Sequence, residues 1–87
     1  RPPTPISTPS PEYPAPARQA RVEGVVSLEA VIAADGTIRS VKLVRGHALL
    51  AAAAIAAVRT WRYTPPALNG EPIELEMYVD VRFELNR

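Results

Sequence analysis

The last part of the chain, residues 72–85, alternates between apolar and polar side chains without a break. The apolar set is Ile73, Leu75, Met77, Val79, Val81, Phe83 and Leu85. The polar set between them is Glu74, Glu76, Tyr78, Asp80, Arg82 and Glu84. Because successive side chains of a β-strand point to opposite faces, the pattern predicts one long strand with one buried face. The rest of the chain must then supply partner strands and an apolar layer that covers this face.

Two further strands are predicted upstream, joined by a tight turn. A run rich in β-branched residues follows Gly24 and ends near Ile32, and a second run extends from Thr37 to Arg45. The dipeptide Asp35-Gly36 between them is a strong hairpin signal, because both residues tolerate the positive φ that a tight turn needs.

Side-chain chemistry favours one register for this hairpin. With Asp35 and Gly36 as the two turn residues, the facing pairs are Leu28 with Leu43, Ala30 with Val41, and Glu29 with Lys42. This register sets apolar pairs on one face and an opposite-charge pair on the other, and both arrangements are favourable. A slip of one residue would mix the faces. A three-residue loop with a bulge remains open as an alternative.

A helix is predicted from Ala48 to about Arg62. Its apolar face consists of Leu50, Ala54, Ala57, Val58 and Trp61. These positions recur at helical spacing, and the many alanines favour the helical state. The preceding Gly46-His47 offers no strong capping acceptor, whereas Thr64-Pro65-Pro66 stops the helix firmly.

The order strand, strand, helix, strand predicts an α+β fold, a two-layer sandwich with one main helix on one face of a three-stranded antiparallel sheet. The third strand can join beside the second strand or cross over to lie beside the first. The second arrangement gives the strand order 2-1-3 and leaves the last strand at an edge. Periodicity alone does not choose between the two orders.

The N-terminal residues predict an extended tail. Seven of the ten prolines lie within the first sixteen residues. Proline fixes φ and removes a backbone donor, so this stretch is not expected to form a helix or a central strand. We therefore divide the chain into a proline-rich linker end, residues 1–12, and one domain, residues 13–87. Because the chain begins at Arg1 without a methionine, we expect it to be a fragment whose upstream part is missing.

Catalysis is not predicted. The chain has no cysteine, and its single histidine, His47, is expected to be a surface or capping residue. A pair of carboxylates on the polar face of residues 72–85 could in principle act as in a glycosidase, but a solvated strand face explains them better. A phosphatase of the acylphosphatase kind would need an anion-cradling loop, and none is evident. No cofactor or metal site is predicted, and a formal charge of +1 argues against nucleic acid as a partner.

A long edge strand is the feature with functional potential. Its unpaired N–H and C=O groups could accept an extended peptide as an added strand, with side chains supplying selectivity. Three aromatic residues are also candidates for recognition. Tyr13 is expected to pin the tail to the core or to form a groove wall. Trp61 and Tyr63 close the helix; Trp61 is expected to pack in the core, and partial exposure of both could serve recognition.

Several short motifs together resemble a known family. They are Tyr13-Pro14-Ala15, Val22-Glu23-Gly24, Asp35-Gly36, the run from Ala57 to Pro65, and Asn69-Gly70. At these spacings the chain resembles the C-terminal domain of TonB-like energy transducers from about Tyr13 to Asn86. The proline-rich lead-in is similar to the end of the linker with which such proteins cross the periplasm.

The resemblance implies the strand order 2-1-3 and a periplasmic domain of an inner-membrane-anchored protein. Its partners would be ExbB and ExbD, through the missing N-terminal part, and the Ton box of outer-membrane TonB-dependent receptors. The domain would bind the Ton box by β-strand addition and transmit energy from the proton gradient for the import of siderophores or other nutrients. The residues implied to contact the partner are Ser10, Tyr13, Pro14, Ile73, Glu74, Leu75, Glu76, Met77, Tyr78, Val79 and Asp80. The alternative is a structural module that uses the same edge strand to form a homodimer, without receptor coupling.

Overall fold

The structure is a computed structural model that describes residues 3–85. Its helices and strands are, in chain order, β1 (Pro5–Ser7), α1 (Ala15–Gln19), β2 (Gly24–Ile32), β3 (Ile38–Arg45), α2 (Ala48–Arg59), β4 (Arg62–Tyr63), β5 (Ala67–Leu68), β6 (Glu71–Pro72) and β7 (Leu75–Phe83). No helix within residues 3–85 is both long and apolar enough to cross a membrane. The α+β class predicted from the sequence is confirmed.

The main sheet has three antiparallel strands in the order β3-β2-β7. In terms of the three predicted strands, this is the order 2-1-3. The third strand thus crosses over to lie beside the first, and the alternative order beside the second strand is wrong. The long helix α2 covers one face of the sheet, which confirms the two-layer arrangement.

The last strand is shorter than the alternating pattern indicated. Residues Glu71–Pro72 pair instead with Ala67–Leu68 in a separate small hairpin. The turn between them, Asn69-Gly70, has φ angles of 52° and 83°, as a tight hairpin turn requires. The backbone N–H of Ile73 then donates to the carbonyl of Pro66 at 2.8 Å, so β7 begins only at Leu75.

The turn between β2 and β3 has three loop residues, 34–36, rather than two. The N–H of Gly36 donates to the carbonyl of Ala33, and the N–H of Ala33 donates to that of Thr37, both at 2.8 Å. The two-residue turn is therefore wrong and the alternative three-residue loop is correct. The carboxylate of Asp35 accepts hydrogen bonds from the Thr37 hydroxyl at 2.7 Å and its N–H at 3.0 Å, and these bonds lower the pKa of Asp35.

The predicted strand register is nevertheless confirmed. Leu28 pairs with Leu43, Glu29 with Lys42, and Ala30 with Val41. The register shifts between Val31 and Ile32, where Arg39 is an extra residue on β3. This bulge compensates for the extra loop residue, so the strands return to the alignment that side-chain pairing favours.

The helix α2 ends at Arg59, three residues before its predicted end. The hydroxyl and the N–H of Thr60 both donate to the carbonyl of Ala57, at 2.7 Å and 3.0 Å, and together they satisfy this carbonyl of the last turn. At the other end, the Nδ1 atom of His47 accepts a hydrogen bond from the N–H of Leu49 at 3.0 Å. The expectation of a capping role for the histidine is confirmed, and the expectation of a poorly capped start is wrong.

The core lies between α2 and the covered face of the sheet. Its buried residues are Ala17, Val26, Leu28, Ala30, Leu50, Ala54, Val58, Val81 and Phe83. The other face of the sheet is open, and the side chain of Tyr78 there is 70% exposed. The side-chain alternation of β7 therefore separates a core row from a row that faces solvent.

The N-terminal segment is held against the domain at several points. Strand β1 pairs antiparallel with β4, and helix α1 packs against α2. A helix within the first sixteen residues was not expected, yet α1 begins at Ala15 and includes Pro16. Proline is tolerated in the first turn of a helix, because the N–H groups there have no intrahelical acceptor.

Candidate functional site

In the described part of the chain, the outer edge of β7 is a regular strand edge without a partner strand. Nine consecutive residue pairs join β7 to β2, from Gly24 with Phe83 to Ile32 with Leu75, without a register shift. Within residues 3–85, β2 is the strand that pairs with β7. Successive residues of a strand direct their N–H and C=O groups to opposite sides, so alternate residues of β7 present these groups to the free side. An additional strand could continue the sheet there.

The opposite edge of the sheet, β3, is protected. Its pairing with β2 contains two register shifts, and the side chains of Arg39, Lys42 and Arg45 are exposed along it. Bulges and cationic side chains are common devices against unwanted strand pairing. Of the two edges, β7 is therefore the one suited to accept a further strand.

The N-terminal residues 4–11, which we call the strap, lie beside β7. The N–H of Thr64 donates to the carbonyl of Thr4 at 2.9 Å, and the N–H of Thr4 donates to the Thr64 hydroxyl at 2.8 Å. Further along, the indole N–H of Trp61 donates to the carbonyl of Pro9 at 2.9 Å. These bonds, with the pairing of β1 and β4, fix the strap to the segment that follows α2.

Between the strap and the second half of β7 lies a groove of about 410 Å³, which we call the edge slot. Its lining residues are Pro5, Thr8, Ser10, Pro11, Trp61, Tyr63, Val79, Asp80, Val81 and Arg82. Tyr63 is largely buried there, and this burial raises the pKa of its hydroxyl. The slot thus combines a strand edge, aromatic rings and a proline-rich wall.

The exposed row of β7 is polar and carries both acidic and basic side chains. The Ser27 hydroxyl donates to a carboxylate oxygen of Asp80 at 2.8 Å, which fixes the orientation of that side chain. Arg82 lies 3.9 Å from Glu84, and both side chains are exposed. Glu76 and Tyr78 are also exposed. This row could discriminate between partners by charge, because charges at an interface affect specificity and association rate more than they affect affinity.

The residues implied by the resemblance fall into separate places. Ser10, Val79 and Asp80 line the edge slot. The range 75–78 continues the same edge beyond the slot. Ile73 and Glu74 precede the strand. The N–H of Ile73 donates to the carbonyl of Pro66, and the carboxylate of Glu74 forms an ion pair with Arg39. A partner contact by any of these residues remains a prediction.

Tyr13 and Pro14 lie away from the edge slot. The Tyr13 ring packs edge-on against Phe83 at 5.5 Å, with the Arg18 guanidinium 5.2 Å from the ring centre. Its hydroxyl donates to the carbonyl of Val22. This arrangement confirms that Tyr13 pins the N-terminal segment to the core. Pro14 is the N-cap residue of α1.

Two sets of slot residues escaped the sequence analysis. Val81 and Arg82 were assigned to the strand but not to the site, although the alternation continues through them. Pro5, Thr8 and Pro11 were assigned to a linker, and no local signal connects them with β7. Trp61 lies beyond the end of α2 and is partly buried against the core, as predicted, but its indole N–H also holds the strap.

The single histidine and one carboxylate of residues 72–85 take part in local contacts. His47 caps α2, and Glu74 forms an ion pair with Arg39. Within residues 3–85, no three histidine or acidic side chains lie close enough to hold a metal ion.

The hydrogen bond between Trp61 and Pro9 leads to a testable prediction for the strap. Trp61→Phe retains an aromatic ring and removes the donor, which costs about 1 kcal/mol of local stability. We expect the amides of Thr4 and Thr64 to exchange with solvent roughly fivefold faster in this variant, measured by NMR. The amide of the buried helical residue Ala54 serves as the internal control and should not change. Unaltered exchange at both threonines would show that the indole does not hold the strap.

Comparisons with known proteins agree on one family. The family described as "Gram-negative bacterial TonB protein C-terminal" matches residues 9–85. Protein TonB of Vibrio cholerae serotype O1 is 31% identical over 77 residues, which cover 86% of this chain and 32% of that protein. The chain thus spans about a third of the length of this curated relative.

A solved structure supports the fold. The solution NMR structure of the Pseudomonas aeruginosa TonB CTD aligns with a TM-score of 0.77, covering 98% of this chain and 88% of that one. Its sequence identity of 24% supports the fold alone. Taken with the match over residues 9–85, these findings show that the chain belongs to the TonB C-terminal domain family.

Proposed function

We propose that this domain binds the Ton box of outer-membrane TonB-dependent receptors by β-strand addition to the outer edge of β7. The observation that carries the proposal is the regular nine-residue strand whose outer edge adjoins the edge slot. The bound segment would lie between β7 and the strap, and it would become the fourth strand of the sheet. The domain would act as a binding module and not as an enzyme.

Main-chain hydrogen bonds would supply the basic affinity. An added segment of six or seven residues can form about four to six such bonds, each worth about 1 kcal/mol net. Association costs several kcal/mol of lost freedom, so side-chain burial in the edge slot must contribute the remainder. We therefore expect dissociation constants in the micromolar range, roughly 1–100 μM. Such an affinity would allow repeated capture and release.

The strap would connect this site to the rest of the transducer. In the proposed arrangement, an upstream linker crosses the periplasm from an inner-membrane anchor that works with ExbB and ExbD. Tension on that linker would enter the domain at the strap, which is fixed to Trp61 and Thr64 by hydrogen bonds. The force would then reach β7 and the receptor segment, and so serve the import of siderophores or other nutrients.

An NMR titration tests the binding site. Synthetic peptides with the Ton-box sequences of several receptors are added to the labelled domain. We expect the largest amide shifts at residues 75–82 and at Ser10, because these groups border the proposed position of the peptide. Shifts confined to α2, or none with any peptide, would contradict the proposal.

A pair of proline variants tests strand addition itself. Tyr78 and Val79 are adjacent, so one directs its N–H to β2 and the other directs its N–H to the free edge. At the position whose N–H bonds to β2, proline breaks the pairing of the sheet. At the position whose N–H points to the free edge, proline removes only an outward donor. Of Tyr78→Pro and Val79→Pro, we expect the variant that keeps a folded spectrum to bind the peptide at least tenfold more weakly. Unchanged affinity in that variant would exclude strand addition.

The same free edge favours one alternative, a homodimer formed by pairing of two β7 strands. Light scattering over a range of concentrations separates the two functions. A monomer that binds peptide supports the receptor-binding proposal. A stable dimer that ignores every peptide supports the structural module.

A further inference from the structure

A second groove lies along the outer surface of α2. Its volume is about 530 Å³, within the range of ligand-binding clefts, and we call it the helix groove. Its lining residues are Pro9, Ser10, Pro11, Glu12, Pro14, Leu49, Ala52, Ala53, Ala56, Ala57 and Thr60. One side is thus the N-terminal segment and the other is the alanine-rich face of the helix. Glu12 is the ionisable residue among those that line it.

The helix groove adjoins the edge slot on the other side of the strap. Ser10 and Pro11 line both grooves, so the strap is the common wall between them. The helix residues of the groove extend from Leu49 to Thr60, which corresponds to a length of about 16 Å. A peptide that leaves the edge slot over Ser10 and Pro11 would therefore enter an apolar channel on the far side of the strap.

The surface of the groove indicates the chemistry of its occupant. Leu49 is 39% exposed, and the exposed positions Ala52 and Ala56 leave space above the helix. Apart from Leu49 and Glu12, the lining offers prolines, alanines and two hydroxyl groups. Covering such a surface with aliphatic side chains of a ligand is favourable, because apolar area is removed from water. A carboxylate of the ligand buried there would find no hydrogen-bonding or charged partner and would weaken binding. The fitting occupant is an uncharged segment with leucine-like side chains.

We propose that the helix groove binds apolar side chains of the residues that flank the strand-forming part of the same docking peptide. This inference rests on the proposed function, because the strand-forming part must first occupy the edge slot. The edge of β7 would then supply main-chain recognition common to many peptides. The helix groove would supply a second site that selects partners by the residues next to the strand-forming part.

Matched peptides and a matched variant pair test the inference. The probe is a receptor Ton-box peptide extended at both ends by three residues, which are leucine in one version and serine in the other. Ala56→Glu places a charge in the groove at an exposed helical position. Ala48→Glu makes the same change at an exposed position of the same helix outside the groove. Affinities are measured by isothermal titration calorimetry.

The expected result is a selective loss. The leucine version should bind the unaltered domain and Ala48→Glu about tenfold more tightly than the serine version. In Ala56→Glu this advantage should disappear, while the affinity for the serine version stays the same. Equal affinities of the two versions, or an advantage that survives in Ala56→Glu, would overturn the inference and leave the proposed function intact. Failure of both versions to bind would overturn the proposed function and this inference together.

Discussion

Replacing Gly36 by alanine is expected to lower the free energy of unfolding by about 3 kcal/mol or more, because two independent costs coincide. The residue has a φ of 92°, a conformation that residues other than glycine rarely adopt. A Cβ atom there would also lie 2.1 Å from the carbonyl oxygen of Tyr63, a backbone atom that cannot rotate away. The Tyr63 N–H donates to the Gly36 carbonyl at 2.9 Å, so relief of the contact would break that bond.

Gly70→Ala is the matched control for this substitution. Gly70 has a similar φ of 83°, but an added Cβ would meet no atom within 4 Å. The cost there is the conformational strain alone, about 1 kcal/mol. Chemical denaturation followed by circular dichroism measures both variants. If the two substitutions cost the same, the close approach of the turn to Tyr63 is not what requires glycine at position 36.

The Gly36 contact also bears on the candidate site. Tyr63 lines the edge slot, and its backbone is fixed from one side by the β2–β3 turn and from the other by the strap. A shift of Tyr63 in Gly36→Ala would therefore move part of the slot. We expect any folded fraction of that variant to bind peptide more weakly than Gly70→Ala does.

Periodicity predicted those features that arise from side chains on one element or on neighbouring strands. The alternation in β7, the helical face of α2 and the pairing of Leu28 with Leu43 each follow from burial of one face. Periodicity could not predict the strand order, because both possible orders bury the same residues. Only the resemblance to a family distinguished them.

The remaining features depend on contacts between distant segments. Ile73 continues the alternating pattern, yet its N–H is engaged by Pro66, and the small hairpin around Asn69-Gly70 ends the strand pattern early. The strap is the clearest case. Its prolines exclude a central strand but permit a short pairing with β4, whose position in the sequence lies more than fifty residues away.

The candidate site was accordingly half predictable. The strand was evident in the sequence because its own side chains carry the pattern, and its position at the edge was implied by the resemblance. The opposite wall of the edge slot was not evident, because Pro5, Thr8 and Pro11 acquire their role only through contacts with residues after α2. A composition that indicates a linker therefore does not exclude a part in the site.

Leu28→Ala is the second substitution for which we expect a large effect. Leu28 lies on the central strand β2, is fully buried, and packs in the core between α2 and the sheet. Truncation of a buried leucine costs about 2–5 kcal/mol, from lost burial and from the cavity that remains. A domain of this size has a total stability of about 5–10 kcal/mol, so this substitution removes a large part of it. The midpoint of thermal unfolding should fall by roughly 12–24 °C for a loss of 3 kcal/mol.

Leu43→Ala provides the control, because Leu43 is the cross-strand partner of Leu28 and undergoes the same chemical change. Its side chain is 41% exposed on the edge strand β3, so less apolar area returns to water and the solvent fills the space. We expect a cost of about 1 kcal/mol or less, with the thermal midpoint measured in the same way. Similar losses in the two variants would mean that the Leu43 side chain is covered as well as that of Leu28. A large difference would instead show that the central strand β2, which pairs with the whole length of β7, contributes more to the stability of the domain than the edge strand β3 does.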